Sequence, residues 1–159
     1  MPRKNKKLPR HLLVIRTSAM GDVAMLPHAL RALKEAYPEV KVTVATKSLF
    51  HPFFEGLDVG FLDIETRRTH RGIRGAIRFA REAAELKIDA VADMHNVLRS
   101  KMVRAALHLR GIPVSVIHKG RIEKYMRLGR GSEGVKPLKH TVIRYCDVFR
   151  RLGFDFPDP

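Results

Sequence analysis

The sequence predicts an α/β fold, a mostly parallel sheet flanked by helices. Three observations carry this. Short apolar runs alternate with amphipathic segments from residue 11 onward, most of the connections are brief and marked by glycine or proline, and the first apolar run passes through a polar turn straight into a helix. At 159 residues the chain has the size of one domain, and 45% hydrophobic against 30% charged residues is an ordinary globular balance.

The first ten residues, MPRKNKKLPR, carry five basic side chains, two prolines and no acid, and read as a flexible basic arm. The opening strand, 12–16, leads into a turn over 17–22. Val23, Leu26, Leu30 and Leu33 then repeat at the spacing of a helix with one buried face, and Tyr37-Pro38 ends it. A second strand spans 40–45, with Val40, Val42 and Val44 on one side. A short helix over 48–55 follows, with Pro52 in its first turn, and then a third strand over 59–64, weakened by Gly60.

A long helix over 69–86 carries Arg71, Arg74, Arg78 and Arg81 as one stripe, with Ile73, Ile77, Phe79, Ala80 and Ala84 on its less polar faces. Residues 88–92 read as the fourth strand. They run into Asp93-Met94-His95-Asn96, a helix over 97–109 and a short strand over 112–117. The stretch 118–139 is basic, has three glycines between 129 and 134, and reads as a mobile loop. A last amphipathic helix, 140–152, stops at Gly153, so the folded domain is 11–153 and 154–159 reads as the start of an interdomain linker.

Lys and Arg number 31 against 16 Asp and Glu, giving a formal +15 and a pI near 10.6. Such a surface attracts polyanions: nucleic acid, anionic membrane or a phosphorylated ligand. The arginine stripe is a solvated face or a site for phosphate or anionic lipid. It lacks the interleaved aromatics that base stacking needs. One cysteine, Cys146, excludes an internal disulfide and fits the cytoplasm. The apolar run behind the basic start is only 12–15, and no segment approaches the ~20 apolar residues of a membrane span, so membrane contact would be peripheral.

In an open parallel sheet, ligands gather outside the carboxyl ends of the strands. Two segments meet that description, 17–22 and 93–99. Asp22 opens a helix, where free N–H groups and the helix dipole stabilise a carboxylate, which can take a proton from a substrate hydroxyl. Helix capping is the alternative. Gly21 permits a tight turn or the close approach of a ligand, but TSAMGD is neither a dinucleotide fingerprint nor a Walker loop. Thr17 and Ser18 can bond a sugar, a phosphate or the local backbone. Asp93 and His95 make only a weak metal pair, and Arg99 and Lys101 suit an anionic substrate.

LLVIRTSAMGDVAMLPHALRALKEAYPEVKVTVAT resembles the opening of the glycosyltransferase family 9 proteins, the lipopolysaccharide heptosyltransferases. These begin with a strand, a Ser-x-x-Gly-Asp turn and a proline-bearing helix. DAVADMHNVLRSKMV and HTVIRYCDVFRRLGF are similar to two later family segments, so the resemblance covers nearly all of 11–154. It departs from the family over Thr17-Ser18-Ala19-Met20, where two serines and a bulky residue are common, and at His95, where glutamine is commoner.

The resemblance implies the N-terminal half of a GT-B glycosyltransferase: a Rossmann-like acceptor-binding domain, with the nucleotide-sugar donor, ADP-heptose, held by a C-terminal domain absent from this chain. It implies Asp22 as the base of an inverting, metal-independent transfer without further cofactor. Thr17, Ser18, Met20, Gly21, His95, Asn96, Arg99 and Lys101 become the acceptor-binding candidates. The acceptor is then the phosphorylated lipid A core, met from the cytoplasm at the anionic inner leaflet. Alone, the chain is expected to be inactive. The competing reading is a noncatalytic nucleic-acid- or polyanion-binding module, motivated by charge alone.

Overall fold

In a computed structural model describing residues 7–65, 69–118 and 139–159, strand β1 (His11–Ile15) lies at the centre of a five-stranded sheet. Its five residues HLLVI are all buried, as expected for a parallel strand covered on both faces. The other strands are β2 (Lys41–Thr46), β3 (Gly60–Asp63), β4 (Ala90–Asp93) and β5 (Val114–Val116). Their order is β3-β2-β1-β4-β5, and every pairing is parallel.

Period-two alternation sends successive side chains to opposite faces. Leu12 and Val14 join Val42, Val44, Ala90 and Ala92 in one apolar cluster, while Leu13 and Ile15 join Ala45 and Val91 in the other. The first cluster is covered by α1 (Met20–Ala36), a 3₁₀ helix (Ser48–Phe54) and α4 (Thr141–Arg151). The second lies under α2 (Gly72–Glu85) and α3 (Leu98–His108).

Several expectations are corrected. The first helix begins at Met20 rather than at residue 23, because the chain turns within 17–19, and it continues through Pro27 with that ring buried. The segment expected as a conventional short helix is 3₁₀ throughout. Helix α2 starts at Gly72, since residues 69–70 form a turn. Its packing face is Gly75, Ala76, Phe79, Ala80 and Ala83, leaving Ile73 and Ile77 in solvent. At Gly75 a Cβ would lie 2.1 Å from the main-chain carbon of His70, so only glycine lets the helix seat against that turn.

The two ends of the described chain make contacts with the rest of it. Of the arm, Pro9 is buried and Arg10 N–H donates to Asp89 Oδ2 at 2.9 Å, while residues 1–6 lie outside the described residues. Within 154–159, Phe154 is 1% and Phe156 5% exposed, both within the α1/α4 cluster. Of the expected basic loop, 119–138 lies outside the described residues. Cys146 is buried in the core.

Candidate active site

With β2 and β3 on one side of β1 and β4 and β5 on the other, the direction of winding reverses between β1 and β4. A crevice opens above such a switch point, at the carboxyl ends of the strands. The 16–22 and 93–99 segments leave β1 and β4 at this place.

Their backbones are cross-linked by side chains. The Thr17 N–H donates to His95 Nδ1 at 3.1 Å, and Thr17 Oγ1 lies 3.0 Å from the same nitrogen. A nitrogen that accepts from a backbone N–H carries no proton, so the pattern places the ring proton on Nε2, 3.4 Å from Ser18 Oγ. His95 itself is held by Asp93, whose buried carboxylate accepts from the main-chain N–H groups of His95 at 2.9 Å and Asn96 at 2.8 Å. Arg104 completes the arrangement at 3.0 Å from Asp93 Oδ2. Asp93 is thus occupied in shaping the β4–α3 turn, and no group of three or more metal-ligating side chains occurs among the described residues.

Asp22 stands in the first turn of α1, its side chain 44% exposed. The cap position is Ala19, and no side chain caps this helix, so capping does not explain the aspartate. Its partner is Arg16, the first residue after β1. This buried guanidinium donates through Nη2 to Asp22 Oδ2 and through Nη1 to the Met94 carbonyl. Asp22 is therefore tied to both strand ends, while Oδ1 has no hydrogen-bond partner among the described residues. From across the α1/α4 layer, the Tyr145 hydroxyl donates to the Asp22 main-chain carbonyl at 2.9 Å. Burial, opposed by the weaker influence of Arg16 and reinforced by the Asp22 charge, pushes the Tyr145 phenol up to about 12, so it remains a donor.

Of the expected binding residues, Thr17, Ser18 and His95 come together in one network beside Asp22. Met20 is the first residue of α1 and is 59% exposed. Gly21 lies within the helix with open space where a Cβ would be, so the turn itself does not demand glycine. Asn96 takes a left-handed conformation, φ 49°, and directs its side chain to the Ile117 carbonyl and Arg104, a structural role. Arg99 lines a small apolar pocket with Thr17, His95, Ile15, Ile64, Phe79 and His70. Lys101 is exposed on α3 and, among the described residues, makes no hydrogen bond or ion pair to this network.

Sequence reasoning missed Arg16, Arg104, Tyr145 and His70. Arg16 carried a signal, being the one charged residue at the end of an apolar strand. Tyr145 is 123 positions from Asp22, and nothing local announces that contact.

No family model matches the sequence, and no curated protein matches it. Solved structures do. The glycosyl transferase family 9 protein of Veillonella parvula DSM 2008 aligns at TM-score 0.67 and 17% identity, over 91% of this chain and 42% of that one. E. coli heptosyltransferase WaaC with ADP-2-deoxy-2-fluoro heptose aligns at 0.64 and 23%, over 94% and 50%. The UDP-GlcNAc 2-epimerase of Neisseria meningitidis bound to UDP-GlcNAc aligns at 0.50 and 15%, over 87% and 38%. The chain spans half or less of each of these structures. What the chain shares with the glycosyltransferase family 9 and heptosyltransferase structures is therefore a fold, one Rossmann-like module of the GT-B type.

Proposed function

We propose that this module binds the acceptor of an inverting, metal-independent glycosyltransferase resembling ADP-heptose:lipopolysaccharide heptosyltransferases, and that Asp22 is its base. The acceptor hydroxyl sits at Asp22 Oδ1. As its oxygen bonds to the anomeric carbon of the donor sugar, the bond from that carbon to the nucleoside diphosphate breaks, and the hydroxyl proton passes to the carboxylate. The Ser-x-x-Gly-Asp resemblance supports the assignment, as does the likeness in fold to heptosyltransferase structures.

The observation that carries it is the fixed placement of a half-exposed carboxylate at the switch point, held by Arg16 from both strand ends with one oxygen open. Thr17 and Ser18 border the acceptor, His95 positions that turn, and Arg99 takes an acceptor phosphate. No cofactor is required beyond a nucleotide-sugar donor, ADP-heptose, held by a second domain. The acceptor is a phosphorylated lipid A core oligosaccharide in lipopolysaccharide core biosynthesis, reached from the cytoplasmic face of the inner membrane. No helix among the described residues is long and apolar enough to cross a membrane.

The test compares Asp22→Asn with wild type in the two-domain protein, with ADP-heptose and a lipid A core acceptor. Loss of a general base lowers kcat by about 10²- to 10⁴-fold. Undiminished transfer removes Asp22 from the mechanism. Turnover of ADP-heptose by residues 1–159 alone would overturn the division between two domains.

A further inference from the structure

Helix α2 shows solvent two kinds of side chain in adjoining stripes. At about 100° per residue, Ile73 and Ile77 border the buried face, and Arg81, Arg74 and Arg78 follow around the axis. Ile73 is 68% and Ile77 54% exposed, one turn apart. At the first residue of the adjacent α3, Leu98 is 74% exposed. Single exposed aliphatics are ordinary, but here three large ones lie in the first two turns of two helices that cover the same face of the sheet.

The charge beside the patch is predominantly positive: Arg74, Arg78 and Arg81 share the stripe with one exposed acid, Glu85, four residues beyond Arg81 at the end of the helix. Glu82, the acid closest along the helix, is engaged by Arg78 at 3.0 Å and His70 at 2.9 Å. Arg74 and Arg81 make no ion pair among the described residues. The whole chain carries +15.

We propose that this face of α2 docks on an anionic lipid bilayer. The guanidinium groups meet headgroup phosphates, and Ile73 and Ile77 enter the boundary between headgroups and acyl chains. An apolar stripe edged by cations is the arrangement of a helix that lies in a membrane interface, and complementarity to anionic lipid selects this occupant. Because α2 runs roughly antiparallel to the strands, docking lays the sheet along the surface. The Thr17–Asp22 edge then opens sideways, along the plane in which a lipid-linked acceptor lies. This deepens the proposed function by naming the surface that brings acceptor to site, and its test needs no sugar transfer, so either can fail alone.

The chain has no tryptophan, so Ile77→Trp places a single reporter on the stripe. Vesicles of phosphatidylglycerol with phosphatidylethanolamine should shift its emission to the blue and allow quenching by brominated acyl chains, whereas phosphatidylcholine vesicles should do neither. The double variant Ile73→Ser/Ile77→Ser, which leaves every charge in place, should bind anionic vesicles at least about tenfold more weakly, since each isoleucine loses apolar burial. Vesicle binding without a tryptophan response, or undiminished binding by the double variant, would assign attachment to other basic regions and overturn the proposal. So would an equal response to phosphatidylcholine, a response to duplex DNA with none to vesicles, or a lipid-independent shift that grows with protein concentration.

Discussion

Asp22 is surrounded by groups that fix it without consuming it. Arg16 takes one carboxylate oxygen, and Tyr145 takes the main-chain carbonyl rather than the side chain. The phenol thus anchors the first turn of α1 to α4 at a distance from the reacting atom. Removing its hydroxyl in Tyr145→Phe deletes one part-buried hydrogen bond while keeping the ring, and the Asp22 carbonyl retains the chance of its helical bond. Unfolding in urea should register a loss of about 1 kcal/mol, with the midpoint shifted and the slope unchanged. A loss under 0.3 kcal/mol would mean that water replaces the hydroxyl at no cost, placing the contact at the margin of the measured range.

At the scale of elements, the alternation of strands and helices was legible because each strand is a short apolar run and each helix has its own period. The two chemical segments were legible because a parallel sheet exposes the ends of its strands. Element ends were less so. The helix expected over 69–86 is shorter because nothing local reveals that His70 packs into Gly75, and the sequence places Ile73 and Ile77 only on its less polar faces because apolarity does not say which face meets a neighbour. Strand β1 shows a consequence of the same kind. His11 opens it, buried, its Nε2 2.8 Å from Thr43 Oγ1. Burial first, then Lys41, lowers its pKa below 6.5, against weaker raising effects from the Leu86 backbone and Asp89. Below pH 6.5 the unfolded chain therefore binds more protons at this position than the folded one, and stability falls as pH drops from 6.5 through the folded value. Urea midpoints at pH 7.5 and 5.5 should differ less in His11→Asn than in wild type, and an identical pH dependence in both would exclude His11 as a contributor.

The whole molecule closes differently from the way its last residues read. FDFPDP has the composition of a linker, two prolines and two acids among aromatics, and a linker would tolerate change. Yet Phe154 stands edge-to-face with Tyr37, ring centres 5.2 Å apart, and the Tyr37 hydroxyl is 2.9 Å from both the backbone N–H and the carbonyl of Asp155. Phe156 tilts against Phe149, and Arg150 holds the Phe156 carbonyl at 2.9 Å. Gly153, at φ 111°, makes the turn that carries the chain back from α4 to the end of α1. These contacts lock together the two helices that hold Asp22 and Tyr145, so the segment acts on the site through the layer it closes. Phe154→Ala leaves a cavity the size of a ring at a position 1% exposed, and should cost about 3–5 kcal/mol in urea unfolding. A linker residue would cost less than about 0.5 kcal/mol, a difference large enough to decide whether 154–156 is part of the folded module.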